Sequence, residues 1–260
     1  MKFLLPASSF ADKDGIETGK IALEYGFDGV ELWGDGLLLL TEAEVEDAYS
    51  FFKSTSLVLT VHLPYLDINI ASANPDIRRL SLDLSIKALI TARRIGARLA
   101  VVHTGKPTGT SRLGDFLHIN ISSSEDSLYR LLQVANMTGT TLAIENGVRR
   151  ELFSQINNFF SLLRRFSSAR MCLDTGHANV MKWNYATLKN SYDIVEKIVY
   201  IHAHDNNGKH DQHMPVGRGT IEWNKIAPLL KEKLINLEIR SFTDISEFIE
   251  SREILKETLR

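Results

Sequence analysis

Two segments concentrate the side chains able to hold a metal ion: Cys172-Leu-Asp-Thr-Gly-His-Ala178 and His202-Ala-His-Asp-Asn-Asn-Gly-Lys-His-Asp-Gln-His213. Between them they carry three Asp and five of the eight histidines. Imidazole and carboxylate groups that converge from strand ends bind divalent cations. Further residues of the same type close other apolar runs: Glu31, His62, His103, Glu145 and Glu238. A lone histidine is most often a satisfied core or surface residue. A metal-type residue at the end of one apolar run after another calls for a shared cause.

The elements that would position these residues follow from periodicity. Short β-rich apolar runs fall at 2–6, 29–33, 57–63, 99–104, 141–145, 171–174, 198–204 and 234–239. Amphipathic helical patterns lie between them, near 16–25, 42–53, 76–95, 124–138, 151–166, 184–196, 222–232 and 245–258. Thr41-Glu-Ala-Glu44 reads as a capping box, and Asn74-Pro75 as a helix start. Gly26 and Gly96 stand where helices should stop. Eight strand–helix units without a linker predict one domain over residues 1–260, a single (β/α)8 TIM barrel of α/β class. A doubly wound sheet would show a glycine-rich first βα turn, and Ala7-Ser-Ser-Phe-Ala11 has none. In such a barrel the strand ends carry the site.

Composition narrows the function classes. The 260 residues are 44% hydrophobic and 24% charged, with formal net charge −2, so no basic field points to nucleic acid. The lone cysteine, Cys172, lies in an apolar run and is expected as a buried, inert thiol in a reducing compartment. The apolar start is too short for a signal peptide, and no run approaches the ~20 residues of a membrane span. The expectation is a soluble cytoplasmic protein without a membrane partner. An oligomer is compatible with it, since Leu37–Leu40 reads as a lid or a subunit contact.

The combination His62 with Tyr65, His103-x-Gly105, Glu145-Asn146, Asp174-Thr-x-His177, His202-x-x-Asp205, Asp211-x-His213 and Glu238 resembles the xylose isomerase-like TIM barrels. That superfamily, also called AP endonuclease family 2, holds endonuclease IV and the sugar-phosphate isomerases and epimerases. The resemblance to endonuclease IV implies three zinc ions. His62, His103 and Glu145 would hold one. Glu145, Asp174, His202 and Glu238 would hold the second, with Glu145 bridging. His177, Asp211 and His213 would hold the third. The isomerase branch implies one divalent ion, Zn, Mn or Mg, on Glu145, Asp174, His202 and Glu238. His202 and His204 point to one side of a strand, and the family spacing favours His202. His118 and His210 are expected in solvent.

Charge separates the two branches. Four carboxylates around three divalent ions leave positive charge, which suits a hydroxide and an anionic phosphoester. Three carboxylates around one ion leave negative charge, which suits a neutral keto sugar, with Glu145 and Glu238 as the acid–base pair. The full nine-residue set leans to a hydrolase of the endonuclease IV type acting at abasic sites in DNA. The alternative is a sugar or sugar-phosphate isomerase or epimerase. Tyr65, Glu31 and Arg240 are the expected substrate contacts. Against DNA stands the segment between Lys20 and Lys53, which has eight acids and no base. Lys106, Arg112, Arg149, Arg150, Lys182, Arg218 and Arg240, near strand-end loops, are the bases that could compensate.

Overall fold

A computed structural model describes residues 1–10, 15–108, 115–240 and 244–258; Arg112 lies outside them. Strands β1 (Lys2–Pro6), β2 (Gly29–Trp33), β3 (Val58–His62), β4 (Leu99–Val102), β5 (Thr141–Glu145), β6 (Arg170–Asp174), β7 (Ile198–His202) and β8 (Leu234–Asn236) close into one parallel barrel in sequence order. β1 pairs with β2 on one side and β8 on the other. The predicted (β/α)8 barrel is therefore the observed fold. Closure leaves no edge strand, so every strand is covered by helices outside and filled by side chains inside.

The main helices are α1 (Gly15–Glu24), α3 (Glu42–Lys53), α4 (Pro75–Ile95), α5 (Asp115–Thr138), α6 (Ile156–Arg165), α10 (Trp223–Leu230) and α11 (Ile245–Thr258). Shorter turns are α2 (Gly34–Leu37), α7 (Thr175–Val180), α8 (Tyr185–Asn190) and α9 (Tyr192–Val195). Thr41 forms the expected capping box with Glu44. Asn74 accepts from the backbone N–H groups of Asp76 and Ile77 ahead of Pro75. Gly26 and Gly96 take positive φ, +67° and +126°, just beyond α1 and α4. α5 begins well before the predicted 124, because its first turns, Phe-Leu-His-Ile-Asn-Ile-Ser-Ser, are weak helix formers held by packing. The predicted 184–196 helix is broken at Ser191, whose φ −94° and ψ 76° are not helical.

The core has two layers. The larger lies between barrel and helices and includes Phe3, Leu89, Phe159, Trp183 and Phe248. The smaller fills the barrel itself with Leu4, Leu99, Val101, Ala143, Cys172 and Tyr200. Tyr200 satisfies its hydroxyl on Thr60 Oγ1 at 2.7 Å inside this layer. Cys172 is buried as expected, and burial pushes its thiol pKa up, which keeps it protonated and unreactive. The segment Leu37–Leu40, read as a lid or a subunit contact, is mostly packed against the core. Leu37 is buried and Leu38 and Leu40 pack on the core, leaving only Leu39 of the four exposed. No helix of the described residues is long and apolar enough to cross a membrane.

Candidate metal centre

Parallel register brings the last residues of adjacent strands side by side. Asp174 pairs with His202, and His202 with Asn236. Glu145 closes β5 two positions before the matching residue of β6. Three metal-type residues therefore sit on neighbouring strand ends and face one point. Glu238 joins them from beyond β8, which ends at Asn236 rather than at the expected 239. Donor atoms of Glu145, Asp174, His202 and Glu238 all lie within 4.8 Å of one another.

Second contacts fix each imidazole. His202 Nε2–H donates to Glu31 Oε2 at 3.1 Å, and Asn236 Nδ2 donates to Glu31 Oε1 at 2.6 Å. His202 Nδ1 then faces Glu238 Oε2 at 3.0 Å. Both atoms are buried without a hydrogen-bond partner. A buried imidazole nitrogen facing a carboxylate oxygen without a good hydrogen bond is a pair that either a proton or a cation can bridge. The residues present therefore fit a divalent ion. His62 Nδ1–H donates to the Leu63 carbonyl at 2.8 Å, which leaves Nε2 3.3 Å from Glu145 Oε2. His62, Glu145 and His202 form a second overlapping group.

A further group joins His177, His204, Asp211 and His213. Asp174 caps α7 by accepting from the His177 N–H at 2.6 Å, which explains the Asp174-x-x-His177 spacing. Asp211 and His213 come from the irregular loop that follows β7. Its organiser is Asp205, wholly buried, whose carboxylate accepts from the N–H groups of Asn206, Gly217 and Ile221 and from Trp223 Nε1. His213 takes φ +50°, a strained backbone state for a non-glycine residue.

Charge in the metal-free site is shared as protons between imidazoles and carboxylates. Burial works against an ionised Glu145, but His103, His202 and His177 outweigh it and hold it well below the usual carboxylate range. The same contest leaves Glu238 depressed by His202 and His213, and Asp211 by His177 and His213. Burial opposes charge on His103, yet Glu151 and Glu145 raise it to about 9. The Tyr65 phenol is pushed up to about 12 by its partial burial and by the carboxylates of Glu238, Asp35 and Glu31. It remains a neutral donor.

Above this floor is a cavity of about 290 Å³ lined by Ser8, Ser9, His62, Tyr65, His103, Lys106, Val148, Glu151, His177, Asp211, His213, Glu238 and Arg240. All nine expected metal residues meet at its floor or wall. His103 stands somewhat apart. It is 3.7 Å from Glu145 Oε2 but 3.2 Å from Glu151 Oε2, and it belongs to none of the three close groups. Tyr65 and Arg240 line the cavity as expected for substrate contacts, with Tyr65 edge-on to His62. Glu31 does not. It is 3% exposed, and both its oxygens are engaged beneath His202. His118 and His210 are exposed as expected. Sequence reasoning missed Glu151, and it set His204 aside in favour of His202. The structure buries both histidines on different carboxylates.

The bases around the rim are partly spoken for. Arg218 pairs with Glu247 and Glu250, and Arg149 binds the Lys209 carbonyl and His210. Arg93 and Arg94 are committed to the Thr138 carbonyl and Glu42. On the opposite side Asp35 holds the backbone N–H groups of Tyr65 and Leu66. Lys106 and Arg240 are the bases that line the cavity itself.

A family model described as xylose isomerase-like TIM barrel matches residues 20–258. An uncharacterized protein of Methanocaldococcus jannaschii is 31% identical over 266 residues, spanning all of both chains. Among solved structures, a D-tagatose 3-epimerase-like protein superposes with TM-score 0.86 at 24% identity, covering 100% of this chain and 97% of its own. D-psicose 3-epimerase with D-tagatose, from Clostridium cellulolyticum H10, gives TM-score 0.81 at 16% identity with both chains fully covered. At these identities the structures speak to the fold.

Proposed function

The chain belongs to the xylose isomerase-like TIM barrel family, and within it we propose that this protein is a metal-dependent epimerase or isomerase of small keto sugars. One observation carries the reading. Glu145 and Glu238 share one donor group with Asp174 and His202 at the floor of a cavity of about 290 Å³. That volume fits a monosaccharide and not a duplex. The superposed neighbours named as 3-epimerases support the same substrate class. The reading reverses the lean toward an abasic-site nuclease. An acidic rim after β2 and paired arginines elsewhere offer few phosphate contacts, and such contacts dominate affinity for DNA.

Glu145, Asp174, His202 and Glu238 would hold the divalent ion, and when bound it supplies positive charge beside the substrate carbonyl. The remaining work belongs to side chains. One of Glu145 and Glu238 takes the proton from the carbon next to the carbonyl, and the electron pair moves into the carbonyl to give an enediolate. The other, which must enter the step as the protonated acid, gives its proton to the opposite face, and exchange with solvent resets both carboxyls. Configuration inverts with no change in composition. Against the cost of burial, His103, His202 and His177 favour the ionised form of Glu145 in the metal-free site. Tyr65 and Arg240 bind sugar oxygens at the mouth, and Glu31 orients His202 from below.

The test is one metal-loaded preparation given a panel of keto sugars, their phosphates and an abasic-site duplex at low salt. Sugar interconversion without strand cleavage is the expected result. Cleavage without interconversion would overturn it. A second reading, phosphodiester hydrolysis, has one observation in its favour: all nine side chains of the endonuclease pattern gather around this cavity.

A further inference from the structure

Three imidazole Nε2 atoms converge on one carboxylate beside the group just described. Asp211 Oδ2 lies 3.0 Å from His213 Nε2 and 3.4 Å from His177 Nε2. Asp211 Oδ1 lies 3.8 Å from His204 Nε2 and is buried with no hydrogen-bond partner. His177 and His213 both commit Nδ1–H to backbone carbonyls, those of Asn146 and Glu238, at 2.9 and 2.8 Å. Each ring therefore presents Nε2 to the carboxylate, as a proton donor in the metal-free protein and as a ligand atom where a cation takes the proton's place.

His204 completes the ring of donors. It is wholly buried, and its Nε2 is also 3.1 Å from both oxygens of Asp174. Its ring stacks on His213 with centroids 3.9 Å apart and planes 5° from parallel. Gly176 makes room for it, since a Cβ there would come within 2.0 Å of His204 Cε1. One donor atom from each of His177, His204, Asp211 and His213 lies within 4.8 Å of the others.

We propose that these four residues bind a second cation, zinc, as a closed structural site that pins the loop after β7 onto α7. Three of them are residues that the endonuclease pattern places around a third ion. His204 is the addition, and it changes the chemistry. A site with three protein ligands keeps a position for a reacting water, whereas four protein ligands in a tetrahedral set leave none. Three nitrogens and one oxygen also select zinc over the harder Mn²⁺ or Mg²⁺ that suits the three-carboxylate group. The ion would tie His204, Asp211 and His213, all from one irregular loop, to His177 on α7. The residues of the endonuclease pattern are then retained for loop anchoring and need no phosphodiester. The site does not depend on the reaction proposed above.

The test is a cobalt(II) titration of the full chain, followed by visible absorption. Four-coordinate cobalt absorbs strongly, and six-coordinate oxygen-rich cobalt weakly. The expected result is two bound equivalents, one of them with intense bands. In His204→Gln that equivalent should be lost or its bands fade, while the other equivalent stays and the melting temperature falls. A single equivalent in the wild type, or only weak bands, overturns the proposal, and so does a His204→Gln protein that keeps both equivalents with an unchanged spectrum. Should the variant not fold, the wild-type spectrum alone decides the matter.

Discussion

Two donor groups share one cavity floor and are built in opposite ways. Glu145, Asp174 and His202 are the last residues of β5, β6 and β7, so barrel register sets their spacing before any ion arrives. His204, Asp211 and His213 belong to an irregular loop, held by the Asp205 knot, by contacts among themselves and by side-chain bonds to Asp174 and the Glu238 carbonyl. The strand-end group is rich in carboxylate, and the loop group is rich in imidazole. Rigid, oxygen-rich donors around an open cavity suit chemistry on a substrate. Loop donors that wrap an ion suit a tie between segments.

The largest effect should come from the strand-end group. Glu145→Gln is expected to lower turnover by about 10²–10⁴-fold, the usual worth of a positioned acid or base, and to remove the metal from that group while the fold persists. Metal content and steady-state rates on an active ketose check this. Full activity in that variant would place the chemistry elsewhere.

Next comes the knot under the loop group. Asp205→Ala leaves three backbone N–H groups and the Trp223 indole without their acceptor. Each unmatched buried donor costs about 1–3 kcal/mol, so a loss above about 3 kcal/mol is expected. Chemical denaturation measures it. The loop-group ion should be lost with it and the strand-end ion kept. Equal loss of both ions would erase the distinction between the two groups.

A smaller effect is expected at Glu31. Glu31→Gln keeps the shape but weakens the hydrogen bond that fixes His202, so metal affinity or turnover should fall about 10–100-fold. The loop-group ion should not respond. A change confined to that ion would contradict the positioning role.

The smallest effect is a titration. In chelator-treated protein, His103 should deprotonate near 9, held up against burial by Glu151 and Glu145. Its raised folded pKa contributes stability that is fully present below the unfolded value of about 6.5. That stability is lost as pH rises through about 9. Imidazole NMR reads the pKa directly, and Glu151→Gln should lower it. An unshifted titration in the variant would show that the 3.2 Å contact does not set it.

The same contrast explains how much was legible in the sequence. Strand-end residues announce themselves because each closes an apolar run, and the barrel rule turns that position into convergence. Glu145, Asp174 and His202 were readable this way, as were the capping residues Thr41 and Asn74. Glu31 was readable as a strand residue, but its side chain points below the floor, and alternation alone does not say how deep an inward residue lies. His204 was set aside because the family spacing His-x-x-Asp favours His202. Its second carboxylate comes from a loop whose path no periodicity encodes. Glu151 had no signal, since a lone acid after β5 becomes meaningful only when the turn brings it to His103. The lean toward a hydrolase, where the alternative is now better supported, has a related origin. Nine ligand-type residues were counted, but how each was already paired could not be.

The most direct test of the central claim follows hydrogen at carbon. Metal-loaded protein is incubated with D-tagatose, D-psicose and their phosphates in deuterium oxide, and proton NMR follows the carbon beside the carbonyl. The account predicts that deuterium enters that carbon, that both epimers appear, and that Glu145→Gln and Glu238→Gln abolish both signals. Wild-type protein that exchanges no carbon-bound hydrogen in any of these sugars, yet cuts an abasic-site duplex under the same conditions, would contradict it.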